Sequence, residues 1–292
     1  MLKKYISEKA ALIDEALQAA LPPQQGCDGV LIDAMRYSLF AGGKRLRPIL
    51  LMAAAEALGS PGHLYTQVAC ALEMIHTYSL IHDDLPSLDN DDYRRGKPTN
   101  HKVYGDALAL LAGDGLLTEA FVTLLSQQGV EKRILCIIIK EIASAAGPYG
   151  MVSGQVVDLL SENKQIDSET LTYMHQQKTG AMFRAAVRSG ALLAGASEAQ
   201  LAALTEYAKQ FGLAFQITDD ILDVVGNSEK IGKPVGSDER NHKSTYVSLY
   251  TLSGAKEMAR LSVEQAVAAL EIFGEEAEIL RLIVQNLLLR ES

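Results

Sequence analysis

The chain has 292 residues, 48% of them apolar, enough for one large or two ordinary domains with a sizeable core, which excludes a disordered chain or a mini-protein. Acidic residues (36) outnumber basic ones (27), for a net charge of −9, so no global field attracts nucleic acid or anionic lipid, and any phosphate ligand has to be met by local cations or metal. Three cysteines, Cys27, Cys70 and Cys136, form no C-x-x-C pair; they fit reduced thiols in a cytoplasmic protein and argue against a thiolate zinc site.

The N-terminal stretch carries acids at Glu8, Asp14 and Glu15 and helical apolar spacing at Leu2, Ile6, Leu12, Ile13 and Leu17, which predicts an amphipathic helix and not a signal peptide. Pro22-Pro23 ends it. Next, Gly42-Gly43-Lys44-Arg45-Leu46-Arg47-Pro48 places three cations and two glycines just before a helix whose first turn tolerates Pro48, where backbone N–H groups and the dipole favour an anion. Gly59-Ser60-Pro61-Gly62 punctuates the chain before the helical run ALEMIHTYSLIH, which continues without a turn signal into Asp83 and Asp84. Pro86 then breaks the backbone so that Asp89 folds back towards them. Asp91 and Asp92 stand beside Arg94 and Arg95 and read equally well as solvated surface pairs. Arg94-Arg95-Gly96-Lys97 forms a second cationic group, and Lys178, Lys233 and Lys243 lie in short polar segments.

Further on, Ser197 with Gln200 forms a capping box ahead of a helix with Leu204, Ala208, Phe211, Phe215 and Leu222 on its apolar face. Asp219 and Asp223 share the row of Phe211 and Phe215, and Gln216 and Asp220 form the adjacent row. Carboxylates four apart on an apolar face repel and are desolvated unless a cation meets them, and a hard metal does this economically. The first cluster fails as a calcium loop, since Arg94 stands where its glycine belongs and Asn100 where its glutamate belongs; magnesium, which keeps waters and takes one or two carboxylates plus phosphate oxygens, suits it better. The apolar runs 49–55 and 134–139 are shorter than the roughly 20 residues that span a bilayer, so no membrane insertion is expected. With few alternating β-branched runs, no linker and no repeat, the expectation is an all-α fold of ten or so helices in one domain over residues 1–292.

In order along the chain, GGKRLRP (42–48), His76, DDLPSLD (83–89), RRG (94–96), KTG (178–180), FQITDD (215–220), DDILD (219–223) and GKPVGSD followed by KSTY (232–246) resemble the trans-isoprenyl diphosphate synthases, and within them the bacterial farnesyl diphosphate synthases. The resemblance spans most of the chain. It implies an all-α isoprenoid synthase bundle around a central cavity, a homodimer, and head-to-tail joining of an allylic diphosphate to isopentenyl diphosphate. Asp83, Asp84, Asp89 and Asp219, with Asp223 assisting through water, would ligate Mg²⁺, three ions per site with substrate bound. Arg94, Lys178, Lys233 and Lys243 would hold the allylic diphosphate, and Lys44, Arg47, His76 and Arg95 that of isopentenyl diphosphate. The carbonyls of Lys178 and Thr179, together with Gln216, would neighbour the allylic cation.

In such enzymes an aromatic five residues before the first motif, here Tyr78 beside Ser79, and a lengthened DDxxxxD stop growth at C15, so farnesyl diphosphate is the expected product. Asn90 interrupts an aspartate run common in relatives without touching a ligand position, and His242 precedes Lys243 where a small residue is common. His82 is expected to be structural, or to help orient a carboxylate at most. Alternatives are a geranylgeranyl or longer-chain synthase, a terpene cyclase, against which GGKRLRP and Arg95 argue, and a regulatory subunit of a heteromeric synthase, against which both complete Asp motifs argue.

Overall fold

A computed structural model describes residues 1–23, 26, 29–225 and 244–290. The expected amphipathic N-terminus is α1 (Leu2–Ala20), which buries Ile13 and Leu17 completely, and α2 (Gly29–Leu39) follows. Helix α3 (Leu46–Glu56) has Pro48 in its first turn, where a missing N–H costs nothing, and α4 (Thr66–Asp83) follows. These two are apolar on nearly every face and lie inside the bundle, as such helices must.

Helices α5 (Asn100–Tyr104), α6 (Asp106–Leu125), α7 (Lys132–Ala146) and α8 (Met151–Ser161) come next. Helix α6 is by length and composition apolar enough to cross a bilayer. One stripe, Ala109, Ala112, Leu116, Ala120 and Leu124, is packed in the core against α4, while Leu110, Leu111, Val122 and Leu125 on its other side are exposed. The small residue Gly113 allows α4 to approach: a Cβ there would lie 2.1 Å from His82 Nε2.

Helix α9 (Ser168–His175) passes through a π-helical turn (Gln176–Gly180) into α10 (Ala181–Leu193), the most buried helix of the second half. Gly190 on α10 lets α3 pack against it, since a Cβ would sit 2.1 Å from the Leu51 carbonyl oxygen. Helix α11 (Glu198–Val225) starts with the expected capping box, Ser197 N–H to Gln200 Oε1 at 3.0 Å and Gln200 N–H to Ser197 Oγ at 3.3 Å. Its apolar row packs as Phe211 and Phe215 against Phe183 of α10, with ring centroids 5.0 and 5.1 Å apart in edge-on geometry. Helices α12 (Tyr246–Ala269) and α13 (Glu278–Gln285) close the bundle, α12 lying along α11.

The all-α expectation holds, with one small departure. Strands β1 (Tyr93–Arg94) and β2 (Lys97–Pro98) form a hairpin whose two turn residues, Arg95 and Gly96, both have positive φ (54° and 75°), the conformation that a right-twisted two-residue hairpin requires. The basic group expected in a polar stretch is thus a rigid turn. Cys70 is buried and Cys136 exposed, both free thiols; Cys27, Lys233 and Lys243 lie outside the described residues.

Candidate active site

Asp83 is the last residue of α4, and the turn that Pro86 enforces returns Asp89 to it, the Asp89 N–H donating to the Asp83 carbonyl at 2.8 Å. Both side chains line a cavity of about 260 Å³ together with Arg94, Asp158 of α8, Lys178 and Thr179 of the π-turn, and Gln216 and Asp219 of α11. The two acidic clusters, far apart in sequence, therefore face one space. Burial pushes the Asp83 carboxyl up to about 6; the Lys178 charge opposes this and the Asp89 charge adds to it. Lys178 Nζ donates to Asp158 Oδ2 at 2.5 Å.

Asp84 differs from expectation. At 3.6 residues per turn, adjacent side chains at a helix end diverge by about 100°, so Asp84 leaves the cavity that Asp83 enters. It is 3% exposed and lines a small separate cleft with Tyr37 and Asn100. Both its oxygens accept from Arg94, at 2.8 Å each from Nε and 2.6 Å from the terminal nitrogen to Oδ1. A guanidinium fork thus satisfies the carboxylate that the sequence assigns to metal, and the same fork holds Arg94 at the cavity rim. Asp223 is half-buried one turn beyond Asp219 and does not line the cavity.

A second cavity of about 340 Å³ continues from the first, with Leu80, Asp83, Lys178 and Thr179 lining both. Arg47 and His76 stand on its wall, and its remainder is mainly apolar, with Leu88 and the α8 residues Met151, Val152, Val156 and Leu159. Tyr78 and Ser79 line it as well, and the Tyr78 ring meets His82 edge-on at 5.6 Å. His82 is not aimed at a carboxylate of the first motif: its Nε2 lies 3.0 Å from the Leu110 carbonyl oxygen. Arg47 lies 4.6 Å over the Phe183 ring, and its Nε is buried without a hydrogen-bond partner among the described residues. Removal from water and the charges of Arg47, Arg95, Arg94 and Arg45 drive His76 well below its ordinary range, so it is neutral at pH 7. Arg95 donates to the Gly42 carbonyl and lies against Gly43, where a Cβ would come within 2.7 Å of its guanidinium carbon. Lys44 is exposed in that same turn, ahead of α3.

The family model described as polyprenyl synthetase matches residues 28–283. The chain belongs to the polyprenyl synthetase family. It is 50% identical over 267 residues to a farnesyl diphosphate synthase of Geobacillus stearothermophilus, covering 91% of this chain and 90% of the relative. It is also 45% identical over 278 residues to a geranylgeranyl diphosphate synthase of Cyanophora paradoxa, covering 94% and 92%. Among solved structures, a geranylgeranyl pyrophosphate synthetase of Pyrococcus horikoshii superposes with a TM-score of 0.92 at 32% identity, covering 99% of this chain and 98% of that one.

In this polyprenyl synthetase, sequence reasoning passed over three site residues. Asp158 carried a signal, a lone carboxylate in the apolar run Val156 to Leu160. Asp220 is 4% exposed and accepts from the Tyr246 N–H at 2.8 Å, anchoring the start of α12. Arg290, near the C-terminus, reaches Asp219 at 3.6 Å and stacks 4.8 Å over Phe215, a long-range contact with no sequence signal.

Proposed function

We propose that the protein condenses isopentenyl diphosphate head to tail with dimethylallyl and geranyl diphosphate, giving farnesyl diphosphate and diphosphate. The observation that carries this is the continuity of the two cavities: carboxylates and Lys178 line the first, Asp83, Lys178 and Thr179 line both, and the second joins Arg47 and His76 to a mainly apolar chamber that Tyr78 lines. Among the described residues no three His, Cys, Asp or Glu side chains form a metal cage of their own. That fits Mg²⁺, which takes one or two protein carboxylates and fills its sphere with water and phosphate oxygens. Asp83, Asp89 and Asp219 would hold it, and when bound it neutralises diphosphate charge as the C–O bond breaks.

Lys178 and Arg94 are placed to hold the allylic diphosphate, which leaves with the bonding electron pair. Lys178 and Thr179 belong to a π-turn, a feature frequent at functional positions, and with Gln216 they line the cavity, where their carbonyl and amide dipoles would stabilise the forming cation. The apolar chamber excludes water from that cation. The isopentenyl double bond then attacks, a carbon–carbon bond forms, and a proton passes to the released diphosphate. Tyr78, 7% exposed in the chamber, supports a stop at C15. Pairing of two chains through the exposed stripe of α6 supplies the homodimer.

The test is incubation with Mg²⁺, isopentenyl diphosphate and each allylic starter, followed by chain-length measurement. A C15 product is expected; absence of product from every starter refutes the catalytic reading, and a C20 main product refutes the role of Tyr78.

A further inference from the structure

Arg45 stands between Lys44 and Arg47 yet lines neither cavity and is 3% exposed. It occupies the N-cap of α3 with φ 49° and ψ 36°, a left-handed conformation unusual for a side chain of this size, and makes no cap hydrogen bond there. Such a conformation persists only where the surroundings over-determine it. Here the guanidinium does so: Nε donates to Asp14 Oδ1 of α1, one terminal nitrogen to Glu73 Oε1 of α4 and the other to the Leu39 carbonyl at the end of α2, each at 2.8 Å. One side chain thereby ties α3 to three other helices. Glu73 is 1% exposed and lies one turn before His76 on the same face of α4. Its negative charge also acts on Arg47 and Arg95, making it a buried counter-charge beneath three arginines.

We infer that Arg45 and Glu73 are positioning residues: a buried brace that fixes the Gly42–Arg47 turn against His76 and so pre-organises the isopentenyl diphosphate subsite without touching substrate. This rests on the function proposed above. Arg47, Arg95 and Arg45 carry like charges, and they come from two segments of the chain, the Gly42–Arg47 turn leading into α3 and the β1–β2 hairpin. A buried carboxylate that engages one of these arginines directly and faces the other two holds them together in the free protein, so that binding need not supply the ordering. The allylic subsite is built by Asp83, Asp89, Lys178 and Asp219, which the brace does not touch; Lys44 is the residue of the turn whose charge reaches Asp219.

Arg45→Met alone strands a buried charge on Glu73 and is expected to unfold readily. The discriminating variant is Arg45→Met/Glu73→Met, which removes both charges at similar volume, a replacement that buried ion pairs commonly tolerate. It is expected to fold, to raise KM for isopentenyl diphosphate about tenfold or more, and to leave KM for geranyl diphosphate within about twofold of the parent. An unshifted KM for isopentenyl diphosphate, or an equal rise in both KM values, overturns the brace. Should the double variant not fold, Glu73→Gln, which keeps the shape and weakens the bond, carries the same comparison with a smaller expected rise. Failure of the parent protein to turn over isopentenyl diphosphate would count against the proposed function, whereas parent turnover with an unshifted variant counts against the brace.

Discussion

Gly154 on α8 lies directly over the π-turn: a Cβ there would come within 2.1 Å of the Lys178 backbone nitrogen and 2.5 Å of its Cα. Those are backbone atoms with no rotamer to escape through, so Gly154→Ala must move α8 or the turn. Overpacking of this kind costs about 1–3 kcal/mol in stability. The functional loss should be larger than that figure suggests, because the displaced atoms carry Lys178 and the Thr179 carbonyl, and a misplacement of about 1 Å at a reacting centre lowers rate about 10²-fold. In barrier terms that is about 2.7 kcal/mol. Gly190→Ala is the control. Its Cβ meets the Leu51 carbonyl at the same 2.1 Å, but between α3 and α10 in the core. Both variants should lower Tm by several degrees in calorimetry, whereas steady-state kinetics should show the large kcat loss in Gly154→Ala and a much smaller one in Gly190→Ala. Equal kcat values for the two variants would refute the claim that the π-turn geometry sets the rate.

Tyr78→Ala removes a ring from the lining of the 340 Å³ chamber, and chromatography of the products should show a shift from C15 to C20 and longer. An unchanged product sinks the steric account. His76 has a folded pKa well below 6.5, so the unfolded chain takes up its proton first as pH falls; its contribution to stability is complete above about 6.5 and shrinks below it. Denaturant titrations at pH 7.5 and 5.5 should therefore differ by about 1.4 kcal/mol less in His76→Gln than in the parent, and an equal difference in both contradicts the depressed pKa. Val122→Arg sets a charge in the exposed stripe of α6, and light scattering should report a shift from dimer to monomer; a dimer that survives it moves the interface elsewhere.

The helical fold was legible because several helices carry a 3.6-residue apolar period and prolines or glycines mark many of the breaks between them, and α11 shows a capping box and an apolar row in one stretch. Asp83 and Asp219 were legible for a related reason, since carboxylates that continue an apolar row without a break are costly unless a ligand needs them, and Asp89 was legible from Pro86, whose turn returns it to Asp83. The rest depends on where distant segments meet. Asp83 and Asp84 are chemically identical neighbours, and only the hairpin that delivers Arg94 separates a cavity-lining carboxylate from one bound to a guanidinium. The π-turn at Gln176–Gly180 has no propensity signature, and the contact of Arg290 with Asp219 spans the bundle. His82 takes the structural role that the sequence allowed, its ring packed on α6 where Gly113 leaves room for it.

A polyanion site in a protein of net charge −9 raises the question of what keeps its cations in place before substrate arrives. The structure answers with buried carboxylates of a different kind from those facing the cavity. Asp84 grips Arg94, Glu73 grips Arg45, and Asp158 grips Lys178, each at 2.8 Å or less. Two of these three acids are almost wholly buried. In a low dielectric such pairs are held strongly, so Arg94 and Lys178 are fixed in direction at the cavity, and Arg45 behind it. Arg47 differs from these three, half-buried over Phe183 with no hydrogen-bond partner for its Nε among the described residues. A side chain desolvated without a direct partner is held less firmly and gains most when an anion binds. The acidic excess of the chain therefore has two parts: aspartates that line the cavity, and buried or half-buried acids that fix Arg94, Arg45 and Lys178 in place.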